Sequence, residues 1–263
     1  LGDVYKRQER GRRRVHGLRR AQRPAQRPEF HGRGVPGGRG LLPSAGGEGY
    51  LTLNTLVTDR ELPAAAEALK KASDMGVDAI LIQDWGIWRL AREIAPDVPL
   101  HASTQMSLHT LGGACRAAEL GLERVVLARE LSRRDIHTIT RDCPAEIEVF
   151  GHGALCMCYS GQCEMSAVIG GRSGNRGACA QPCRLPYGVN EKAAGGHPLS
   201  LKDANLADYV QELEQMGVAC LKLEGRMKRP EYVAVITGIY RRLLDEKRGP
   251  SLSLIHISEP TRQ

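Results

Sequence analysis

From Tyr50 onward the chain alternates short apolar runs with stretches whose apolar residues recur every three to four positions. That alternation is the pattern of parallel strands joined by crossover helices, since parallel neighbours cannot be linked by a tight turn. The runs predict strands near 50–56, 79–83, 100–105, 124–129, 146–151, 198–202 and 219–223. These seven fall one short of the eight that close a (β/α)8 TIM-type barrel. The intervening helices carry their own signals. Thr58 and Glu61 stand at capping-box spacing before the stripe Leu62, Ala65, Ala66, Leu69. Tyr232, Val235, Ile236, Ile239, Tyr240 and Leu243 repeat like one buried helix face, so their aromatics are assigned to the core. No apolar run approaches the ~18 residues of a membrane span.

Residues 9–49 break this pattern, being rich in Arg, Gly, Pro and Gln with almost no apolar period. Codons can be chosen for them so that the neighbouring frame reads a GADAVYMG-like strand, a Gly-rich turn and an amphipathic helix running into Tyr50. That restored strand would be the eighth. A frameshift is therefore expected upstream of Tyr50, and LGDVYKRQ and SLSLIHISEPTRQ at the two ends resemble translated adapter sequence and are set aside. Residues 1–48 are expected to be non-native and disordered, 49–250 to form the incomplete barrel domain, and 251–263 to be a non-native tail. The strands at 50–56 and 219–223 should then face a gap with unpaired backbone groups. Residues 1–48 hold 12 Lys+Arg against 4 Asp+Glu, a net of +8, while the whole chain is +7, so residues 49–263 sum to −1. The basic balance belongs to the suspect segment and carries no argument for nucleic-acid binding.

Chemistry concentrates in residues 152–187, a Cys-rich insertion that follows the sixth barrel strand once the restored one is counted. Cys156, Cys163, Cys179 and Cys183 are spaced C-x₆-C-x₁₅-C-x₃-C among several glycines. Without a secretory signal, and so with a cytoplasmic location expected, such dense thiols read as soft-metal ligands rather than disulfides. Structural zinc prefers two tight C-x₂₋₄-C knuckles, whereas an iron–sulfur cluster tolerates irregular spacing because its ligands bind different irons. A cluster, most simply 4Fe-4S, is the first reading; zinc and uncoordinated or disulfide-forming cysteines remain alternatives. Cys158 lies too close to Cys156 to share its direction, and Cys115, Cys143 and Cys220 read as small buried hydrophobes.

The block GGRSGNRGACAQPCRLPY, with HASTQM at 101–106, SLKDANL at 200–206 and KLEGRMK at 222–228, resembles the collagenase-like peptidase family (peptidase family U thirty-two). It looks most like the branch containing the large-subunit ribosomal RNA cytidine hydroxylase. The resemblance covers about 50–250. It implies hydroxylation of a pyrimidine base in ribosomal or transfer RNA, linked to prephenate, with RNA as partner. The family's older name implies proteolysis, yet the chain has no H-E-x-x-H helix and no G-x-S-x-G elbow. A non-catalytic iron–sulfur partner subunit is the third reading, because related proteins work as paired subunits.

In a barrel, reactive groups belong at the C-terminal strand ends. Asn54, Gln83, Asp84, Gln105, Arg129, Glu130, His152, Lys202, Asp203, Glu224 and Arg226 fall there. Candidates for catalysis are His152, Asn54, Gln105, Glu130, Lys202, Asp203 and Glu224, while Asp84 and Asp203 also suit helix caps. Arg172, Arg176 and Arg184 could grip an anionic substrate or RNA phosphate through bidentate hydrogen bonds. Equally, they could offset the thiolates and order the loop.

Overall fold

The computed structural model describes residues 4–8, 11–17, 47–188, 196–225 and 228–247. Six strands run parallel, each next to its neighbour in the curled sheet: β3 (Gly47–Leu53), β4 (Ala79–Ile82), β5 (Leu100–Ala102), β6 (Leu122–Val126), β7 (Glu146–Gly153) and β9 (Cys220–Leu223). They form a half-barrel of parallel α/β type. Crossover helices cover its outer face, including α1 (Leu62–Asp74), α2 (Trp85–Ile94), α3 (Leu111–Glu119), α4 (Arg133–Asp142) and α7 (Pro230–Glu246).

Strand side chains alternate between two environments, as the pleat requires. Leu51, Ile80, Ile82, Leu100, Val125, Ile147, Val149 and Leu221 pack into the main apolar cluster with the helices. The alternate residues Tyr50, Ala79, Leu81, Val126 and Phe150 form a second, smaller cluster on the concave face. Buried polar side chains share that concave face: His101, Arg124, Glu148 and Lys222. Arg124 is fully buried. It donates from Nε to Glu146 Oε2 at 2.7 Å and from Nη1 to the Tyr50 hydroxyl at 3.2 Å, with Glu148 Oε2 at 3.9 Å. His101 meets the Tyr50 ring edge to face at 5.1 Å.

Two expectations need correction. Residues 1–48 were expected to supply no strand, leaving 50–56 and 219–223 to face a gap. Instead β1 (Val4–Gln8) and β2 (Gly11–Gly17) make an antiparallel hairpin, β2 pairing parallel with β3 and β1 antiparallel with β9. Ladder bonds are made by backbone, so two open sheet edges can recruit a chain of unpromising composition. The rest of 1–46 and the tail 251–263 lie outside the described residues.

Nor is 198–202 a strand. Pro198-Leu-Ser-Leu has the alternation of one, but Arg184 Nη1 donates to Ser200 Oγ at 3.0 Å and to the Leu201 carbonyl. A side chain takes the acceptor a ladder would need. Only the two-residue β8 (Ala204–Asn205) follows, antiparallel to the end of β7.

The helical stripes fare better. Thr58 donates from N and Oγ1 to the Glu61 carboxylate, both at 2.9 Å, as the capping box predicts, although a 3-10 turn (Asp59–Glu61) precedes α1. In α7 the buried face is Val233, Ile236, Ile239, Tyr240 and Leu243, whereas Val235 is exposed, a half-turn off the predicted phase.

Candidate functional site

The polar residues that follow the strands converge over one end of the sheet. Asn54, just past β3, donates from Nδ2 to Ser103 Oγ at 2.8 Å. Gln83, past β4, donates to the Gln105 carbonyl at 3.1 Å and accepts from Asn175 Nδ2 at 3.2 Å. Glu130, past β6, accepts from the Ser160 amide at 2.9 Å and its hydroxyl at 2.8 Å. Glu224, past β9, ion-pairs with Arg129. Asp84 acts as a cap, accepting from the amides of Gly86 and Ile87 at 2.7 and 3.1 Å. Lys202 is exposed and off the sheet, and Asp203 sits 3.5 Å from Arg184. Arg226 lies outside the described residues.

Residues 154–188 cross this rim as a strap. Arg176 makes two parallel bonds to Glu61 at 2.6 and 2.7 Å, and Asn175 Oδ1 accepts from the Leu56 amide at 3.4 Å. The Arg176 guanidinium, helped by the Thr58 amide, holds the Glu61 carboxyl down to about 2. Arg184 donates to the Leu155 carbonyl at 3.1 Å, and Arg172 to the Ala178 carbonyl at 3.0 Å. Arg172, Arg176 and Arg184 are thus each engaged by groups within the chain.

Gly161 lets the strap pass the rim. At φ +84° a Cβ would come within 2.7 Å of the Gln105 carbonyl oxygen, so only glycine fits. Gly161→Ala is expected to cost about 1–3 kcal/mol through backbone strain and overlap. A thermal melt matching that of the parent protein would refute this.

The four spaced cysteines fall in one neighbourhood. Cys156 is exposed as a residue, yet its sulfur lies 3.6 Å from Arg129 Nη1, and desolvation by burial is the main cause raising its thiol. Arg129 opposes the rise; Glu224, Cys179 and Cys183 add to it. Burial likewise raises Cys183, opposed by Arg184 and reinforced by Cys179 and Cys163. Cys179 Sγ accepts from the Gln181 amide at 3.3 Å and lies 3.8 Å from Ser166 Oγ. Gln181, at φ +56°, turns the chain between Cys179 and Cys183. Cys158 is exposed, Cys143 and Cys220 are buried in the apolar core, and Cys115 is half-buried beside it. Among the described residues no three His, Cys, Asp or Glu side chains close around a point as a single metal ion would need.

A second polar centre is built on His152, one of the catalytic candidates, and on two tyrosines that helical spacing assigns to the core. His152 is buried in β7, its Nδ1 3.3 Å from the Tyr240 hydroxyl. Tyr240 Oη donates to the Gly151 carbonyl at 2.7 Å and accepts from the Leu206 amide at 3.1 Å. With that proton committed, Nδ1 is the donor towards Tyr240 and Nε2 keeps its lone pair. Burial pushes the His152 pKa down, favouring the neutral ring. Its Nε2 and the Tyr232 hydroxyl are both buried without a hydrogen-bond partner among the described residues, and the two rings lie 6.2 Å apart. Helical spacing placed both tyrosines in the core; nothing in that spacing distinguishes a hydroxyl used as a hub.

A parallel α/β sheet whose strand ends carry a polar rim, crossed by a four-cysteine strap, is the architecture of this chain. The chain belongs to Peptidase family U32, whose sequence profile matches residues 21–255. It is 42% identical over 220 residues to the Escherichia coli 23S rRNA 5-hydroxycytidine C2501 synthase, covering 80% of this chain and 33% of that protein. It is 37% identical to the Bacillus subtilis tRNA hydroxylation protein P1, covering 74% of this chain and 49% of the relative. A Porphyromonas gingivalis protein named Collagenase is 36% identical, covering 76% and 52%. The chain therefore spans about a third to a half of the length of these relatives. Among the described residues no helix is long and apolar enough to cross a membrane.

Proposed function

We propose that this chain is the rim-and-strap portion of an RNA hydroxylase-like protein. It would act on a pyrimidine of ribosomal or transfer RNA in a prephenate-linked reaction, with an iron–sulfur cluster held by Cys156, Cys163, Cys179 and Cys183. The observation that carries it is the neighbourhood these four thiols share in the strap, where Cys156 feels the charge of Cys179 and Cys183, and Cys183 that of Cys179 and Cys163, in a chain similar to named RNA hydroxylation proteins. The C-x₆-C-x₁₅-C-x₃-C spacing, in which only Cys179 and Cys183 approach a zinc knuckle, supports a cluster over zinc. Tetrahedral zinc with bonds near 2.3 Å draws its sulfurs to about 3.8 Å from one another, whereas a polynuclear core spreads its ligands over several irons. When bound, such a cluster supplies one-electron chemistry or fixes the loop. Glu130 holds the strap against the rim through Ser160, and the neutral His152 ring keeps a buried, unpartnered nitrogen near the Tyr232 ring among the described residues.

The Collagenase relative supports a peptidase reading. Its apparatus is not evident: among the described residues no cysteine is hydrogen-bonded to a histidine, the pairing that activates a thiol nucleophile. Deleting the encoding gene is expected to remove a hydroxylated pyrimidine from ribosomal or transfer RNA, read by mass spectrometry of nucleosides. Unchanged RNA together with peptide hydrolysis by the purified protein would sink the proposal in favour of the peptidase.

A further inference from the structure

Arg129 stands where four parts of the molecule meet. It follows β6. Its amide donates to Ser160 Oγ at 3.1 Å, tying it to the strap. Its guanidinium lies over the Phe150 ring of β7, 3.9 Å from the centroid. Nη2 pairs with Glu224 at the end of β9, and Nη1 reaches Cys156 Sγ at 3.6 Å. Only 12% of the side chain is exposed, against 65% for the neighbouring Arg133. Stacking on an aromatic face and one carboxylate contact fix the plane of a guanidinium. The N–H aimed at sulfur is therefore held in place before any metal arrives.

We propose that Arg129 is a positioning residue for the cysteine centre, orienting Cys156 and supplying the positive charge that its thiolates need. This rests on the iron–sulfur reading given above. Four thiolates around an iron–sulfur core leave a net negative charge, which grows when an electron is added. A fixed cation and an N–H···S bond stabilise the reduced form more than the oxidised one, and both are recognised controls of cluster potential. Glu224 is then the residue that keeps Arg129 from swinging to solvent. Lysine at 129 would keep the charge but not the planar fork that serves sulfur and carboxylate together.

The test is anaerobic purification of the parent protein and of Arg129→Gln and Arg129→Lys. Iron and sulfide per chain, midpoint potential and thermal melting of the metal-free form are then measured. Arg129→Gln is expected to move the potential to more negative values and to lose iron faster to a chelator. Arg129→Lys should fall between it and the parent. If Arg129→Gln does not fold, Arg129→Lys carries the comparison. A parent protein that binds no iron and sulfide overturns the cluster reading itself. A loaded parent whose potential and iron retention are matched by the variants overturns the role of Arg129, even if their melting temperatures fall.

Discussion

Replacing Arg124 with alanine is expected to remove about 3–5 kcal/mol of stability, the cost of leaving the buried Glu148 carboxylate without its cation. Arg124 is fully buried on the concave face, against Glu146, Glu148 and the Tyr50 hydroxyl. Water reaches Glu146 but cannot replace the missing charge at Glu148, because the surrounding side chains of Tyr50, Leu81 and Val126 are buried as well. The comparison is Arg89→Ala, whose side chain is 80% exposed beside Glu93; it should change stability by less than about 0.5 kcal/mol. Urea midpoints of the two variants decide the matter, and equal midpoints would show that Arg124 is dispensable.

Breaking the Arg176–Glu61 clamp should act differently, by freeing the strap while the sheet stays folded. A bidentate, charge-assisted pair of this kind contributes about 1–3 kcal/mol. The pH dependence follows from Glu61. Its carboxyl is held at about 2 in the folded chain and lies near 4.3 when unfolded. The contribution is thus fully present above about 4.3 and is lost as pH falls towards about 2. In Arg176→Ala the strap should already be loose at neutral pH and gain little further mobility on acidification. Pepsin cleavage within 154–188 between about pH 2 and pH 4.5, normalised to an unfolded substrate, reads this out. A parent protein and variant cleaved at the same rate at every pH would contradict it.

Much of the architecture was legible because buried parallel strands are written as apolar runs. Ala79–Ile82 is buried on both faces and could hardly be anything else. Other parts were hidden for physical reasons. Leu199 and Leu201 have strand alternation, but a distant Arg184 takes the backbone acceptor, and no local pattern shows a partner 17 residues away. The concave polar network was equally obscure. Glu146 and Glu148 alternate with Ile147 and Val149, and Arg124 stands inside the run Leu122–Val126, but such patterns mark faces without saying that both are covered. The cysteines announced themselves by density. Arg129 and Tyr240 did not, since their roles come from convergence of three or four elements.

The strap also sets an order of events in time. Its contacts bind residues far apart in the chain, with Arg176 115 positions from Glu61 and Asn175 119 from Leu56. Such contacts can form only after the intervening strands have been brought together, because each long closure costs entropy that local structure does not repay. The strap is therefore the last piece to settle and the first to lift. Between those moments its four thiols are uncovered on a chain whose sheet is already built, so the strap can open and close without global unfolding.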